Sequence, residues 1–181
     1  ASVTNPSNTA LKSIVYMENK EAFFKEIFRT NSRKIYHLCY GYTGDDDTAN
    51  DLVQETFLKV WQNLDKFRNQ AMISTWIYRI AVNTCLSHLR VEKRQAKEEL
   101  TEKIIDEKAE EFSEKNEQVA LLYRCISKLE ENERIIITLV LDEVPYAEIA
   151  EISGISEGNL RVKIHRIKQK LTELYSRYER I

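Results

Sequence analysis

The stretch that most constrains the fold lies near the C-terminus, between Val144 and Leu174. Pro145 opens a short predicted helix, and Ser153 and Gly154 end it; glycine reaches the left-handed conformation at little cost, so Gly154 suits a tight turn between helices. Ser156 is a favoured N-cap for a second helix. Apolar residues recur along that helix at steps of four, three, four and three: Leu160, Ile164, Ile167, Leu171 and Leu174. The pattern predicts two helices joined by a tight turn, the second one amphipathic.

The face opposite this stripe is basic. Ser156 to Leu171 holds five basic residues and one acidic residue, a net of +4, whereas the whole chain carries −2. A short helix, a glycine turn and a basic second helix form the layout of a helix-turn-helix, whose second helix enters the DNA major groove. The alternative is a solvated basic face on an ordinary helical hairpin; turn, cap and charge together favour DNA binding. The residues on or beside the outward face are Arg161, Val162, His165, Arg166 and Lys168.

Composition places this motif in a helical, soluble type of chain. The 181 residues suffice for one or two domains, and 43% hydrophobic residues can form a core. With only four glycines and two prolines, we expect a nearly all-α protein. The three cysteines are widely spaced, which suggests neither a zinc site nor a disulfide framework. No apolar run approaches the roughly 20 residues that cross a bilayer, and no leader is recognised, so we expect a cytoplasmic protein without a cofactor.

The first half of the chain contains a distinctly acidic predicted helix. We expect a disordered lead-in over 1–18, then two short helices over 19–29 and 32–42. The acidic helix runs from Asp45 to about Leu64, and Asp45 to Lys66 carries a net charge of −4. One half of its helical wheel is apolar; outside that half, or at its edge, lie Asp51, Gln54, Glu55 and Leu58. This surface would suit a protein partner, or it is simply solvated, and the pattern alone favours neither.

Two further segments separate this helix from the C-terminal domain. After a predicted loop over 66–73, a helix from Ser74 to about Arg94 mixes aromatic and basic residues, which can hold unpaired bases, although a tryptophan such as Trp76 is more often a core residue than a platform for bases. Val91 to Gln118 has ten acids and six bases and few large apolar residues. We expect a flexible, partly helical linker over 95–116, or else a continuous solvated helix. Helices near 119–129 and 131–141 should pack behind the helix-turn-helix.

Taken together, three segments resemble the extracytoplasmic-function (ECF) sigma factors of bacterial RNA polymerase. These segments are DLVQETFLKVWQNLDKF, STWIYRIAVNTCLSHLR and YAEIAEISGISEGNLRVKIHRIKQKL, in that order. The resemblance implies two small helical domains joined by a linker: sigma region 2 over 19–94 and sigma region 4, with the helix-turn-helix, over 117–181.

The resemblance also implies roles for individual residues. The acidic helix is expected to bind core RNA polymerase through Asp51, Gln54, Glu55 and Leu58. Residues expected at the melted minus-ten element are Phe67, Arg68, Asn69, Trp76, Arg79 and Asn83. Those expected at the duplex minus-thirty-five element are Arg161, Val162, His165, Arg166 and Lys168. The loop over 68–71 lacks the glycine and serine often found in relatives, and Val162 stands where serine is frequent, so the preferred promoter sequence does not follow.

The function implied is that of a promoter-specificity subunit with no reaction of its own. Its partners would be core RNA polymerase, promoter DNA and, by analogy, an anti-sigma factor, without membrane contact of its own. The rival hypothesis is a conventional helix-turn-helix repressor or activator, which predicts tight binding of the free protein to a palindromic duplex. No glycine-rich phosphate loop or nucleophile–base set points to an enzyme.

Overall fold

The fold was examined in a computed structural model, which describes residues 6–67, 72–98 and 117–178, with side chains for 17–67, 72–91 and 117–178. Within these ranges all regular structure is helical, as predicted, and a single 3₁₀ turn follows the second helix. The helices are α1 (Pro6–Thr43), α2 (Asp46–Asn63), α3 (Ile73–Glu98), α4 (Glu117–Ser127), α5 (Glu131–Leu141), α6 (Tyr146–Ser153) and α7 (Glu157–Tyr178). Among the described residues, no helix combines the length and the apolar character that crossing a membrane requires.

Helix α1 is continuous where the sequence predicted two helices, so the expected break between 29 and 32 is wrong. The polar residues at this point are compatible with a helix because their side chains donate hydrogen bonds to backbone carbonyls of the preceding turn. The Thr30 hydroxyl donates to the Glu26 carbonyl at 2.8 Å, and the Asn31 amide donates to the Ile27 carbonyl at 2.9 Å. The helix also starts at Pro6, inside the segment 1–18 that was expected to be disordered; residues 1–5 lie outside the described residues.

Helix α2 forms as its cap and periodicity predict. Asp45 has an extended backbone, and its carboxylate accepts a hydrogen bond from the Thr48 backbone amide at 2.8 Å. Two aspartates occupy the first turn, where negative charge stabilises the helix end. Leu52, Phe57 and Val60 are buried, and α2 packs against α1 and α3. The apolar half of the wheel is therefore the core side, and the acidic residues are left to the surface.

The helix-turn-helix is confirmed. Gly154 closes α6 in the left-handed conformation with φ +70°, and α7 begins three residues later. The apolar stripe of α7 faces inward: Leu160, Ile164 and Ile167 are buried, and the remaining two leucines are partly buried. Helices α4 and α5 pack behind this motif, as expected. The ion pair between the Lys170 ammonium and the Glu133 carboxylate, at 2.7 Å, joins α7 to α5.

The two halves of the chain pack directly against each other, an arrangement that the sequence did not predict. Helix α1 contacts α4 and α5, and α3 contacts α6. Buried residues of both halves form one continuous apolar cluster, from Ile27 in α1 to Ile167 in α7. Helix α3 continues through residues 95–98, which were expected to belong to the linker, and 99–116 lie outside the described residues.

Two glycines of the helix-turn-helix provide a matched test of its turn geometry. A Cβ added at Gly154 or at Gly158 would meet no atom within 4 Å, so neither substitution causes a clash. Gly154→Ala should lower the free energy of unfolding by about 1–2 kcal/mol, because an alanine must adopt the left-handed conformation. Gly158→Ala, at a right-handed helical position, should raise it by up to about 1 kcal/mol. Urea unfolding followed by circular dichroism measures both, and equal effects of the two substitutions would contradict the assigned turn.

Candidate nucleic-acid and protein interfaces

The acidic surface of α2 is a single exposed stripe. Asp51, Gln54, Glu55 and Leu58 are all exposed, at spacings of three, one and three residues that place them on one side of the helix. The Leu58 side chain is 56% exposed, whereas Phe57, next to it in the sequence, is buried. An exposed apolar side chain surrounded by charged and polar groups is a common arrangement in protein interfaces.

One carboxylate of this stripe has a partner in its own helix. Glu55 forms an ion pair with Lys59 at 2.6 Å, one turn further on. Both side chains remain about half exposed to solvent, and such an exposed pair contributes roughly 0–1 kcal/mol. The pair therefore leaves Glu55 available to a binding partner at little cost.

The basic face of α7 is also open to solvent. Arg161, Val162, His165, Arg166 and Lys168 are all exposed, opposite the stripe that packs into the core. Val162 is 52% exposed and lies among these basic residues, where its methyl groups could contact a thymine methyl. The structure thus brings all five predicted residues together on one surface that no described segment covers.

Arg161 contacts two neighbouring side chains at the start of this surface. Its guanidinium pairs with the Glu157 carboxylate at 2.5 Å and lies 5.3 Å from the centre of the Tyr146 ring. Glu157 belongs to the first turn of α7, and Tyr146 opens α6. Both side chains of the ion pair remain largely exposed, so it contributes roughly 0–1 kcal/mol and leaves Arg161 available to a binding partner.

A third set of predicted residues lies along α3 and the turn before it. Phe67 and Trp76 pack with ring centres 5.2 Å apart, and both are partly exposed. Arg79 and Asn83 follow Trp76 at spacings of three and four residues and are exposed on the same side of α3. Arg68 and Asn69 fall outside the described residues. The aromatic pair and the polar residues form one continuous surface.

Helix α6 lies beside this α3 surface. The Thr75 hydroxyl donates to the Glu148 carboxylate at 2.8 Å. The Arg79 guanidinium donates to the Glu151 carbonyl at 3.1 Å and pairs with the Glu151 carboxylate at 3.0 Å. Arg79 therefore binds an acidic group of the C-terminal half in the arrangement that the structure describes.

A second set of polar contacts joins α1 to α5 and the residue after it. His37 Nδ1 lies 2.8 Å from Asp142 Oδ1, and the Arg134 guanidinium donates to the Tyr42 carbonyl at 2.9 Å. Burial raises the pKa of the Asp142 carboxyl above its ordinary value, and the hydrogen bond with His37 offsets part of that rise. His37 thereby stabilises a carboxylate that the packing of the two halves removes from water.

Sequence reasoning missed these contacts between the halves. No local signal links the residues that meet here, because the two members of each pair are separated by at least 72 positions along the chain. The pairs are Thr75 with Glu148, Arg79 with Glu151, and His37 with Asp142. One signal was available: Gly41 lies inside a helix, where glycine is unfavourable and calls for a packing reason.

Comparison with known proteins identifies the family of both halves. Residues 27–95 match the profile of sigma-70 region 2, and residues 120–171 match that of sigma-70 region 4. The chain is similar to the ECF RNA polymerase sigma factor SigW of Bacillus subtilis (strain 168), with 31% identity over 82% of this chain and 86% of SigW. It is also similar to the ECF RNA polymerase sigma-E factor of Escherichia coli (strain K12), with 33% identity over 76% and 78% of the two chains.

Solved structures show the same fold at lower identity. The sigma factor RpoE from Bartonella quintana, crystallised with the anti-sigma factor NepR, matches with a TM-score of 0.73 and 20% identity over 84% of this chain and 96% of that chain. CnrH in complex with the cytosolic domain of CnrY matches with a TM-score of 0.62 and 18% identity, over 86% of this chain and 89% of that chain.

These matches decide between the two hypotheses from the sequence. A conventional repressor or activator would share the helix-turn-helix, but the N-terminal half here matches sigma region 2 as well. The similarity to the relatives extends over most of their length. The protein therefore belongs to the ECF family of RNA polymerase sigma factors.

Proposed function

We propose that the protein binds core RNA polymerase through the exposed stripe of α2 and directs it to promoters with two separate DNA-binding surfaces. The observation that carries this proposal is that an acidic stripe on α2 and a basic face on α7 are both exposed in one chain. Opposite charges on different surfaces suit two different partners, a protein and a nucleic acid. Within this proposal, region 2 is 19–94, the linker is 95–116 and region 4 is 117–181.

The polymerase-binding residues are Asp51, Gln54, Glu55 and Leu58. Leu58 offers an apolar anchor, and the neighbouring acids would steer a basic polymerase surface and set its orientation. Because α2 is fixed by its buried side against α1 and α3, this stripe is rigid before binding, which reduces the entropy lost on association.

The melted minus-ten strand would lie on Phe67, Arg68, Asn69, Trp76, Arg79 and Asn83. An aromatic pair can stack extruded bases, which offsets an unstacking cost of a few kcal/mol. Arg79 would bind the backbone, and Asn83 offers an amide for a base edge. The protein supplies this binding free energy and no reaction of its own.

Duplex DNA at the minus-thirty-five element would lie on Arg161, Val162, His165, Arg166 and Lys168. Arginine can bind guanine through two hydrogen bonds, whereas lysine mainly neutralises phosphates. The net charge of −2 for the whole chain would keep the affinity of the free protein for DNA low. Polymerase would then supply the remaining affinity.

An anti-sigma factor is the expected regulator, by analogy with the RpoE and CnrH structures, the first of which is described as a complex with an anti-sigma factor. Such a partner would compete with polymerase for exposed surfaces. We place the protein in the cytoplasm, where polymerase and promoter DNA are found.

The polymerase surface is tested by Leu58→Ala. Removing the exposed anchor should weaken binding to core polymerase by about 30-fold or more, since central interface residues contribute about 2 kcal/mol or more. Leu141→Ala is the matched control, because Leu141 is also exposed, at 46%, but lies on α5. Fluorescence anisotropy against core polymerase measures both, with run-off transcription of the wild-type protein as the overall assay. Equal affinities for both variants would exclude the α2 stripe.

The DNA surface of α7 is tested by Arg166→Ala. Losing a base-reading arginine should reduce run-off transcription from a promoter with a minus-thirty-five element by about 5- to 150-fold, corresponding to roughly 1–3 kcal/mol. Binding to core polymerase should be unchanged. Lys168→Ala is the comparison, because loss of a phosphate contact should weaken binding almost uniformly across promoter sequences. Loss of polymerase binding in Arg166→Ala would contradict the role proposed for this residue.

A further inference from the structure

Asn159 lies in the first turn of α7, at the border of the proposed DNA surface. It is exposed, and it lines an open groove of about 690 Å³ together with Val162, Lys163 and Arg166. Asn159, Val162 and Arg166 follow one another at spacings of three and four residues, so they form a stripe along one side of the helix. The proposed function assigns roles to Val162 and Arg166, and Asn159 completes the stripe at its N-terminal end.

The side-chain amide of Asn159 has no hydrogen-bond partner among the described residues. Asparagines inside other helices do bond to their own helix. The amides of Asn31, Asn50 and Asn63 each donate to the carbonyl four residues earlier, at 2.9, 2.9 and 2.8 Å. The carbonyl oxygen and the amino group of Asn159 are both available to a ligand outside the chain.

The glycine before Asn159 indicates that this ligand approaches the backbone closely. Gly41 of α1 is explained by internal packing, since a Cβ there would overlap Thr138 of α5. A Cβ at Gly158 would meet no atom within 4 Å, and the φ of Gly158 is not positive, so neither packing nor backbone conformation requires a glycine. Glycine nevertheless lowers helix stability relative to alanine, and it is used where a backbone comes close to a ligand. The absent side chain leaves room for a base-pair edge beside Asn159.

An asparagine amide matches one base edge in the major groove. Adenine presents an acceptor at N7 and a donor at N6, and an asparagine can bind both at once. Guanine presents two acceptors, which would leave the amide oxygen opposite another acceptor. The N-terminal residues of a recognition helix are the ones that contact base edges. Adenine is therefore the base that satisfies both groups of Asn159.

The spacing of the stripe sets the distance between the bases that it can contact. Asn159 and Arg166 are separated by roughly 10 Å along the helix axis, at about 1.5 Å per residue. Base pairs lie roughly 3.4 Å apart, so this length corresponds to about three base pairs. Val162 lies between the two, within reach of a thymine methyl group. The stripe can follow a short run of neighbouring base pairs.

We propose that Asn159 determines promoter specificity: its amide binds N6 and N7 of an adenine in the minus-thirty-five element, within about three base pairs of the guanine that Arg166 binds. The inference rests on the proposed function, because that function places α7 in the major groove. It adds a base that the chain selects and the residue that selects it.

Selection from a randomised promoter tests this inference. Core polymerase carrying the wild-type protein or Asn159→Ala is given duplex promoters with a randomised minus-thirty-five element, and the bound sequences are counted. The wild-type complex should prefer adenine at one position by about 5- to 150-fold, the fold-change that 1–3 kcal/mol of discrimination produces. In Asn159→Ala this preference should disappear while the preferences at other positions remain.

Asn132→Ala is the matched control, because Asn132 is also an exposed asparagine in the first turn of a helix of the same half. It should leave every preference unchanged. Arg166→Ala should instead remove a guanine preference within about three base pairs of the adenine. An adenine preference that survives in Asn159→Ala would overturn the inference, whether or not the affinity falls, since a phosphate contact carries no sequence information.

A modified base tests the hydrogen bond itself. Replacing the selected adenine with 7-deazaadenine removes the N7 acceptor and leaves the rest of the base pair intact. The wild-type complex should lose roughly 2- to 12-fold in affinity, which corresponds to one hydrogen bond of 0.5–1.5 kcal/mol. Asn159→Ala should lose nothing further on this duplex. Equal losses for both proteins would overturn the inference.

Asn159→Asp should change the selected base. A carboxylate only accepts hydrogen bonds, and the N4 amino group of cytosine is the donor that matches it in the major groove. The preference at this position should move from adenine to cytosine. A retained adenine preference in Asn159→Asp would contradict the assignment.

Wild-type transcription separates this inference from the proposed function. If the wild-type protein fails to support run-off transcription with core polymerase, the proposed function fails. If it supports transcription and Arg166→Ala removes a base preference, but Asn159→Ala removes none, the proposed function stands and only the role of Asn159 is contradicted.

Discussion

The packing of α5 on α1 is the interaction on which the arrangement of this sigma factor depends. Each half of the chain is small, and small domains bury a modest share of their surface. Here both halves contribute to one continuous apolar cluster. Sharing that cluster stabilises both halves, and it sets α6 against α3, because α6 follows α5.

The surfaces differ in accessibility for this reason. The stripe on α2 and the face of α7 lie on the outer sides of their helices and stay exposed when the halves are packed together. The α3 surface borders α6: Arg79 and Asn83 are exposed there, and Arg79 pairs with Glu151.

Local signals predicted most of the fold and much of the candidate site. The spacing of the apolar residues and the identity of the capping residues predicted α2, the turn at Gly154 and the apolar stripe of α7. Each of these features depends on residues within a few helical turns of one another. The exposed positions on α2 and α7 followed from the same periodicity. The break in α1 was predicted wrongly, since Thr30 and Asn31 are also typical of helix ends; inside α1 they bond to carbonyls of the preceding turn.

The contact between the halves could not be predicted in this way. His37 and Asp142, or Arg79 and Glu151, meet only because two separately patterned helices pack together. Nothing near either residue specifies its partner. Only Gly41 carried a trace of the contact, because a glycine inside a helix requires a reason that the helix itself does not provide.

The most direct measurement of this account is the distance between the halves before and after polymerase binding. Spin labels at Ala22→Cys and Glu173→Cys occupy exposed positions on α1 and α7, and the native cysteines are buried. In the free protein the labels should give one short, narrow distance distribution. With core polymerase and promoter DNA, the distance should increase by tens of ångströms, on the scale of the roughly 85 Å between the promoter elements. An unchanged distance in a complex that makes transcript would contradict the account.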